Sequence, residues 1–162
     1  MKNILLITIL IVFSCKSENN EVVEELKVYD FEALEPLLNK TDDKVHVINF
    51  WATWCAPCIK ELPYFEELNA NYKSKNVEVV LVSLDFPKQY DNKLKPYIIK
   101  NKLMSQVIAL DDTDTNTWIP KVDEDWSGAI PATIIYNKDK RRFYERSFNY
   151  EELQKEVKNF LN

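Results

Sequence analysis

Val45-His46-Val47-Ile48-Asn49-Phe50 runs without a break into Trp51-Ala52-Thr53-Trp54-Cys55-Ala56-Pro57-Cys58. The first six residues have the pattern of a strand buried on both faces. From Ala56 the period changes, and Ile59, Leu62, Phe65 and Leu68 recur at helical spacing as far as Tyr72. A C-x-x-C pair at such a strand-to-helix junction reads as a redox pair. Cys55 falls at the helix N-terminus, where unpaired N–H groups and the helix dipole favour a thiolate. Cys58 falls about one turn later and deeper, within reach of the first sulfur. Pro57 sits in the first turn, where its missing N–H is harmless, and it stiffens the loop. Pro63 predicts a kink further along the helix.

Upstream, Asp30 is placed to cap a short helix through Phe31, Leu34, Leu37 and Leu38. Downstream, Val77–Leu84 and Gln106–Leu110 predict strands, with a helix over Tyr90–Leu103 between them. Asp111–Thr117 reads as a polar loop, and Trp118–Trp126 as holding a helical turn. Thr133–Tyr136 and Arg141–Ser147 predict a hairpin around Asn137-Lys138-Asp139-Lys140, and Glu151–Leu161 a closing helix. The predicted order is β-α-β-α-β, then a hairpin and a helix. Parallel crossovers followed by an antiparallel pair give an α/β fold, a mixed central sheet flanked by helices on both faces. Residues 28–162 form a single domain in this reading.

The composition supports that reading. Apolar residues make up 46% of the 162, enough for a core, and charged residues make up 29%. The net charge of −5 comes with no basic stripe, which argues against nucleic acid as a partner. With one glycine in the chain, tight turns must rely on Asn, Asp and Pro.

The third cysteine belongs to a different segment. Lys2 is followed by an apolar run, Ile4–Phe13. At about ten residues the run is too short to span a bilayer and fits a signal-peptide core. Val12-Phe13-Ser14-Cys15 resembles a bacterial lipobox. That resemblance implies a signal peptide over 1–14 and a diacylglycerol group on Cys15. Residues 15–27 then read as the lipidated cysteine and a polar tether. The domain is expected outside the cytoplasm, held to a membrane by the lipid anchor.

Phe50–Cys58, with Glu61 and Pro63, resembles the active-site segment of the TlpA/ResA branch of the thioredoxin superfamily. The specific pattern is Trp-x-x-Trp-Cys-x-Pro-Cys-x-x-Glu-x-Pro, and the likeness extends over roughly Phe31–Leu161. A second match is Trp126-Ser127-Gly128-Ala129-Ile130-Pro131-Ala132-Thr133. The resemblance implies a thioredoxin fold and a redox-active Cys55–Cys58 disulfide. It also implies a cis Pro131 facing the cysteines, with the backbone of Ile130 open to an extended substrate chain. Trp54, Ala56, Pro57, Ile130 and Pro131 are the expected substrate-binding surface. Many thioredoxins carry a buried Asp where this chain has Asn49, and an amide does not titrate. Glu61, one turn after Cys58, is expected to take the Cys58 proton instead.

The reading is therefore a protein-disulfide reductase working by dithiol exchange, with no cofactor: no metal, flavin or nucleotide. Its implied partners are protein thiols and disulfides, apocytochrome c among them, and a membrane-embedded electron carrier. Ala56 and Pro57 put no charge or donor between the cysteines, which favours a reductant over an oxidant. A structural zinc site lacks ligands, since only Cys55, Cys58 and His46 are on offer. His46 reads as a strand residue. The alternatives are a thiol peroxidase, for which the peroxidatic Thr/Cys pattern is missing, and a non-catalytic binding lipoprotein. The Cys15 reading has its own test. Mature protein should partition into detergent with lipid on Cys15, and Cys15→Ser should release it or leave it uncleaved. Unmodified wild-type protein in a soluble extracytoplasmic fraction would overturn that expectation.

Overall fold

In the computed structural model, which describes residues 25–161, strand β2 (Val45–Trp51) lies inside a six-stranded sheet and all seven of its residues are buried. On one side β2 pairs in parallel with β3 (Val77–Ser83) through seven residue pairs, Val45 against Val77 to Trp51 against Ser83. On the other it pairs antiparallel with β5 (Ala132–Tyr136). The sheet continues outward through β4 (Gln106–Leu110) to β1 (Lys27–Tyr29), and through β5 to β6 (Arg141–Tyr144). The full order is β1-β4-β3-β2-β5-β6. The sheet is mixed, as the sequence predicts. The expected signal peptide, Cys15 and most of the expected tether lie outside the described residues.

The pleat of β2 sorts its side chains into two layers. Val45, Val47 and Trp51 face a core shared with Leu62, Phe65 and Leu68 of α2 (Ala56–Tyr72) and Leu153 and Val157 of α5 (Tyr150–Lys158). Ile48 and Phe50 face the opposite core, with Phe31 and Leu34 of α1 (Phe31–Leu34). Trp118 and Val122 of α4 (Thr115–Val122) and Trp126 complete that layer. Trp118 and Trp126 are packing residues there, 5.6 Å apart edge to face. The third helix of the first layer is α3 (Lys95–Asn101), entered through a π turn at Tyr90–Leu94.

Several ends differ from the sequence reading, each for a local reason. Asp30 does cap α1, accepting from Ala33 N at 2.9 Å, but the helix tightens into a 3₁₀ turn from Glu35, with Pro36 in its first turn. The stretch expected to be a loop at Asp111–Thr117 yields its last three residues to α4, anchored by the burial of Trp118 and Val122. Strand β6 stops at Tyr144 rather than Ser147, because Glu145 turns toward the neighbouring loop and the Phe148 N–H turns inward. Helix α2 stays one continuous helix through Pro63. Of the left-handed positions, Asn76 (φ 59°) fits the expectation for a glycine-poor chain, while Lys102 (φ 51°) takes the αL position that closes α3.

His46 is a strand residue. Its Nε2 lies 2.7 Å from Asp42 Oδ1, and its ring stacks on Tyr136. Asp42, His46 and Glu78 place ligand-type atoms within 4.8 Å of one another. Lys40 and Lys44 already sit 3.2 and 3.4 Å from Glu78, however. Two ammonium groups oppose a cation there, and the cluster is an ion-pair net at the end of β2 away from the cysteines.

Candidate active site

The end of β2 delivers the chain to the N-terminus of α2, and the turn between them is tied down on every side. Trp51, fully buried, accepts through its carbonyl from Leu84 N at 2.8 Å, and Cys55 N donates to the Ala52 carbonyl at 3.1 Å. The buried Asp85 carboxylate, just past the carboxyl end of β3, accepts from Thr53 N at 3.0 Å and Thr53 Oγ1 at 2.5 Å. It also accepts from Ser83 Oγ at 2.8 Å. The loop before the nucleophile thus hangs on one carboxylate that the sequence reading did not single out. Its signal was there: a charged residue following a buried parallel strand stands where open α/β sheets build their sites.

Cys55 is the N-cap of α2. Its Sγ accepts from Cys58 N at 3.3 Å, the place a serine or aspartate oxygen takes in an ordinary cap. Cys55 and Cys58 form a disulfide, with S–S 1.98 Å. Cys58 is wholly buried, and Cys55 keeps a thin exposed edge of 6%. Of the pair, only Cys55 has surface open to solvent. Its Sγ lies 3.6 Å from the Ile130 carbonyl oxygen. In the disulfide that is a contact without a proton. The Ile130–Pro131 bond is cis.

The segment before that bond is also pinned by a carboxylate. Glu145 accepts from Ser127 Oγ, from Ser127 N at 3.2 Å and from Ala129 N at 3.1 Å. The Ser127 bonds, first among them, hold the Glu145 carboxyl below its usual range. Between these residues Gly128 has φ +89°, a backbone conformation that calls for glycine, and a Cβ there would also stand close to Ile119 Cδ1, at 3.1 Å. Among the expected substrate-binding residues, Trp54, Ala56 and Pro57 are exposed, Ile130 is half-buried and the Pro131 side chain is buried.

Glu61 is not a surface residue. It is 1% exposed in the layer between β2 and α2. Oε1 accepts from Asn49 Nδ2 at 3.0 Å, and Oε2 from Phe148 N at 2.8 Å. Asn49 Nδ2 also reaches Thr133 Oγ1 at 3.1 Å. Burial pushes the Glu61 carboxyl up to about 7, against the lowering effect of those two hydrogen bonds and of Arg146. Asn49, Thr133 and the Phe148 N–H are thus the supports of a buried carboxyl poised at neutral pH.

The comparisons with known proteins agree with this geometry. Residues 19–141 match the AhpC/TSA family. The thiol-disulfide oxidoreductase ResA of Bacillus cereus is 35% identical over 123 residues, covering 71% of this chain and 68% of that protein. ResA of Oceanobacillus iheyensis is 54% identical over 48 residues, a match that spans 30% of this chain and only 25% of that protein. Among solved structures, a thiol:disulfide interchange protein of the thioredoxin family from Chlorobium tepidum superposes with a TM-score of 0.60 at 19% identity, covering 79% of this chain and 85% of its own.

Two measurements test the supports. Glu61 has an ordinary value of 4.5 and about 7 in the fold. Between those values the folded protein holds a proton that the unfolded chain has lost, so stability falls as pH rises through that window and is level above it. The shift corresponds to about 3 kcal/mol. Urea unfolding from pH 4 to 8 should show that slope in the wild type and lack it in Glu61→Gln. Coincident profiles would remove the buried carboxyl. Asp85→Ala should cost on the order of 2 kcal/mol, because it strands the Thr53 N–H. It should also change the alkylation rate of reduced Cys55, whereas an unaltered rate would detach Asp85 from the site. By its matched segment, its fold and its paired cysteines, the chain belongs to the AhpC/TSA family, as a thioredoxin-like oxidoreductase of the ResA/TlpA type.

Proposed function

We propose that the protein is an extracytoplasmic protein-disulfide reductase, anchored through lipid on Cys15. The observation that carries the exchange chemistry is the placement of Cys55 Sγ. It caps α2 against Cys58 N and faces the Ile130 carbonyl beside cis-Pro131. The reduced protein starts the cycle. Cys55 thiolate attacks one sulfur of a substrate disulfide, an enzyme–substrate S–S bond forms, and the other substrate sulfur leaves as thiolate. Cys58 gives its proton to Glu61, directly or through water, and its thiolate attacks Cys55 Sγ. The Cys55–Cys58 bond forms, the mixed disulfide breaks, and the second substrate sulfur is released. Two electrons pass to the substrate. A membrane-embedded electron carrier supplies the two further electrons that reduce the Cys55–Cys58 bond again.

Direction follows from what stands between the sulfurs. The α2 N-terminus stabilises the Cys55 thiolate, which by itself makes a protein more oxidising. Ala56 and Pro57 add neither charge nor side-chain donor, so that stabilisation stays moderate and favours a reductant. Disulfides of exported cysteine proteins are the substrates in this reading, with that of apocytochrome c, reduced to its thiols, among them. A thiol peroxidase would leave the C-x-x-C pair without a task, and a purely binding role would leave Glu61 poised for nothing.

Cys58→Ser should accumulate mixed disulfides through Cys55, because the resolving thiol is gone, and Cys55→Ser should accumulate few. Equal trapping by the two variants would overturn the assignment. A glutathione titration should place the wild-type potential below about −200 mV, and a value near the oxidant end, about −120 mV, would reverse the direction.

A further inference from the structure

Beside the cysteine loop lies an open groove of about 320 Å³, lined by Thr53, Trp54, Lys93, Pro96, Tyr97 and Lys100. It starts at the two residues immediately before Cys55 and runs along α3 and the turn that enters it. Its aromatic walls differ in character. Tyr97 is half-buried and packs on the core residue Trp51 at 5.6 Å, whereas Trp54 is 51% exposed. An exposed indole beside a reactive sulfur is apolar surface left uncovered by the chain itself.

The charge of the groove is unusual for this protein. The chain carries a net charge of −5, yet the groove's lining has two lysines and no carboxylate. Both lysines are exposed, and among the described residues neither Lys93 nor Lys100 forms an ion pair. The nearby Lys95 does, with Asp91 at 2.6 Å, so an acid is present on the same stretch and is committed elsewhere. Two unneutralised ammonium groups flanking an aromatic floor form a site complementary to an acidic chain with an apolar side chain.

We propose that this groove receives the segment of a protein substrate flanking its reactive cysteine. That segment carries an apolar or aromatic residue for Trp54 and Tyr97, and acidic residues for Lys93 and Lys100. The proposal rests on the exchange reading of Cys55 and names the substrate class for it. A substrate sulfur at Cys55 brings its own flanking residues onto Thr53 and Trp54. The groove thereby borders the chain segment that carries the nucleophile. An acidic membrane surface satisfies the lysines equally well but does not require a groove continuous with the nucleophile.

The test uses three short peptides with one cysteine each, disulfide-linked to a neutral small thiol. They share an aromatic residue and differ in acidic, neutral or basic flanks. Reduced wild-type protein should favour the acidic over the basic peptide by about tenfold in kcat/KM, since each exposed ion pair contributes a few-fold. K93E/K100E should reverse that order. Raising the salt toward about 1 M should erase the wild-type preference without any substitution, because the screening length falls to about 3 Å. Equal rates for the three peptides at low salt, with exchange intact, overturn the groove and leave the exchange reading standing. So does an unchanged order in K93E/K100E. Failure to exchange with all three peptides and with 2-hydroxyethyl disulfide overturns both. Binding to vesicles containing anionic lipid, lost in K93E/K100E, together with no discrimination among peptides, assigns the lysines to a lipid surface and overturns the proposal.

Discussion

A helix N-terminus that ends on sulfur is the interaction on which the rest of this structure depends. The first turn of any helix has N–H groups without partners inside the helix, and here one of them, on Cys58, points at Cys55 Sγ from 3.3 Å. A thiol accepts such a bond weakly and a thiolate accepts it well. The geometry therefore favours the charged nucleophile only if the sulfur is held where the N–H points. That requirement explains the density of constraints on a short turn. Asp85 fixes Thr53 from below, the Leu84 N–H fixes Trp51, and the Ile130 carbonyl borders the sulfur from the opposite loop.

The two carboxylates around the loops differ in what their surroundings ask of them. Glu145 is surface-exposed, accepts three hydrogen bonds and is held in its charged form by them. It works as a permanent clamp on the segment leading to cis-Pro131. Glu61 accepts only two, in a layer lined by Leu62, Phe65 and Phe148, and there desolvation exceeds the hydrogen bonds. Its charge state is consequently open to change near neutral pH. The same functional group is held charged in one place and titrates near neutral pH in the other, because hydrogen bonding wins in the first and burial in the second.

What could be read from the sequence follows the range of the interactions involved. Strand β2 and helix α2 announce themselves because their apolar periods are local and switch at Cys55. The stripe Cys58, Leu62, Phe65 also placed Glu61 on the buried face, a signal stronger than its distance from Cys58 alone. Its carboxyl shift was out of reach, since it comes from burial in the assembled core, and the Phe148 N–H that opposes it lies 87 positions away. Strand β1 was missed for a similar reason. Lys27-Val28-Tyr29 has too few residues to display a period, and its strand character comes from parallel pairing with Ile108–Leu110. Helix α4 starts in Thr115-Asn116-Thr117, poor helix formers, and is held by Trp118 against Phe31 and Trp126.

Accessibility completes the division of labour between the cysteines. A thin exposed edge on Cys55 and none on Cys58 fits the proposed order of exchange, in which an incoming disulfide meets Cys55 first. Cys58, the resolving cysteine in that reading, is enclosed by the fold. Shielding has a consequence for the proton. A buried thiol cannot lose it to bulk water directly, and the acceptor must lie inside the same layer. In the proposed exchange that acceptor is Glu61, one turn on along α2, whose burial pushes its carboxyl up to about 7. In that reading burial calls for an internal acceptor and, by raising the carboxyl's affinity for a proton, also suits it to the part.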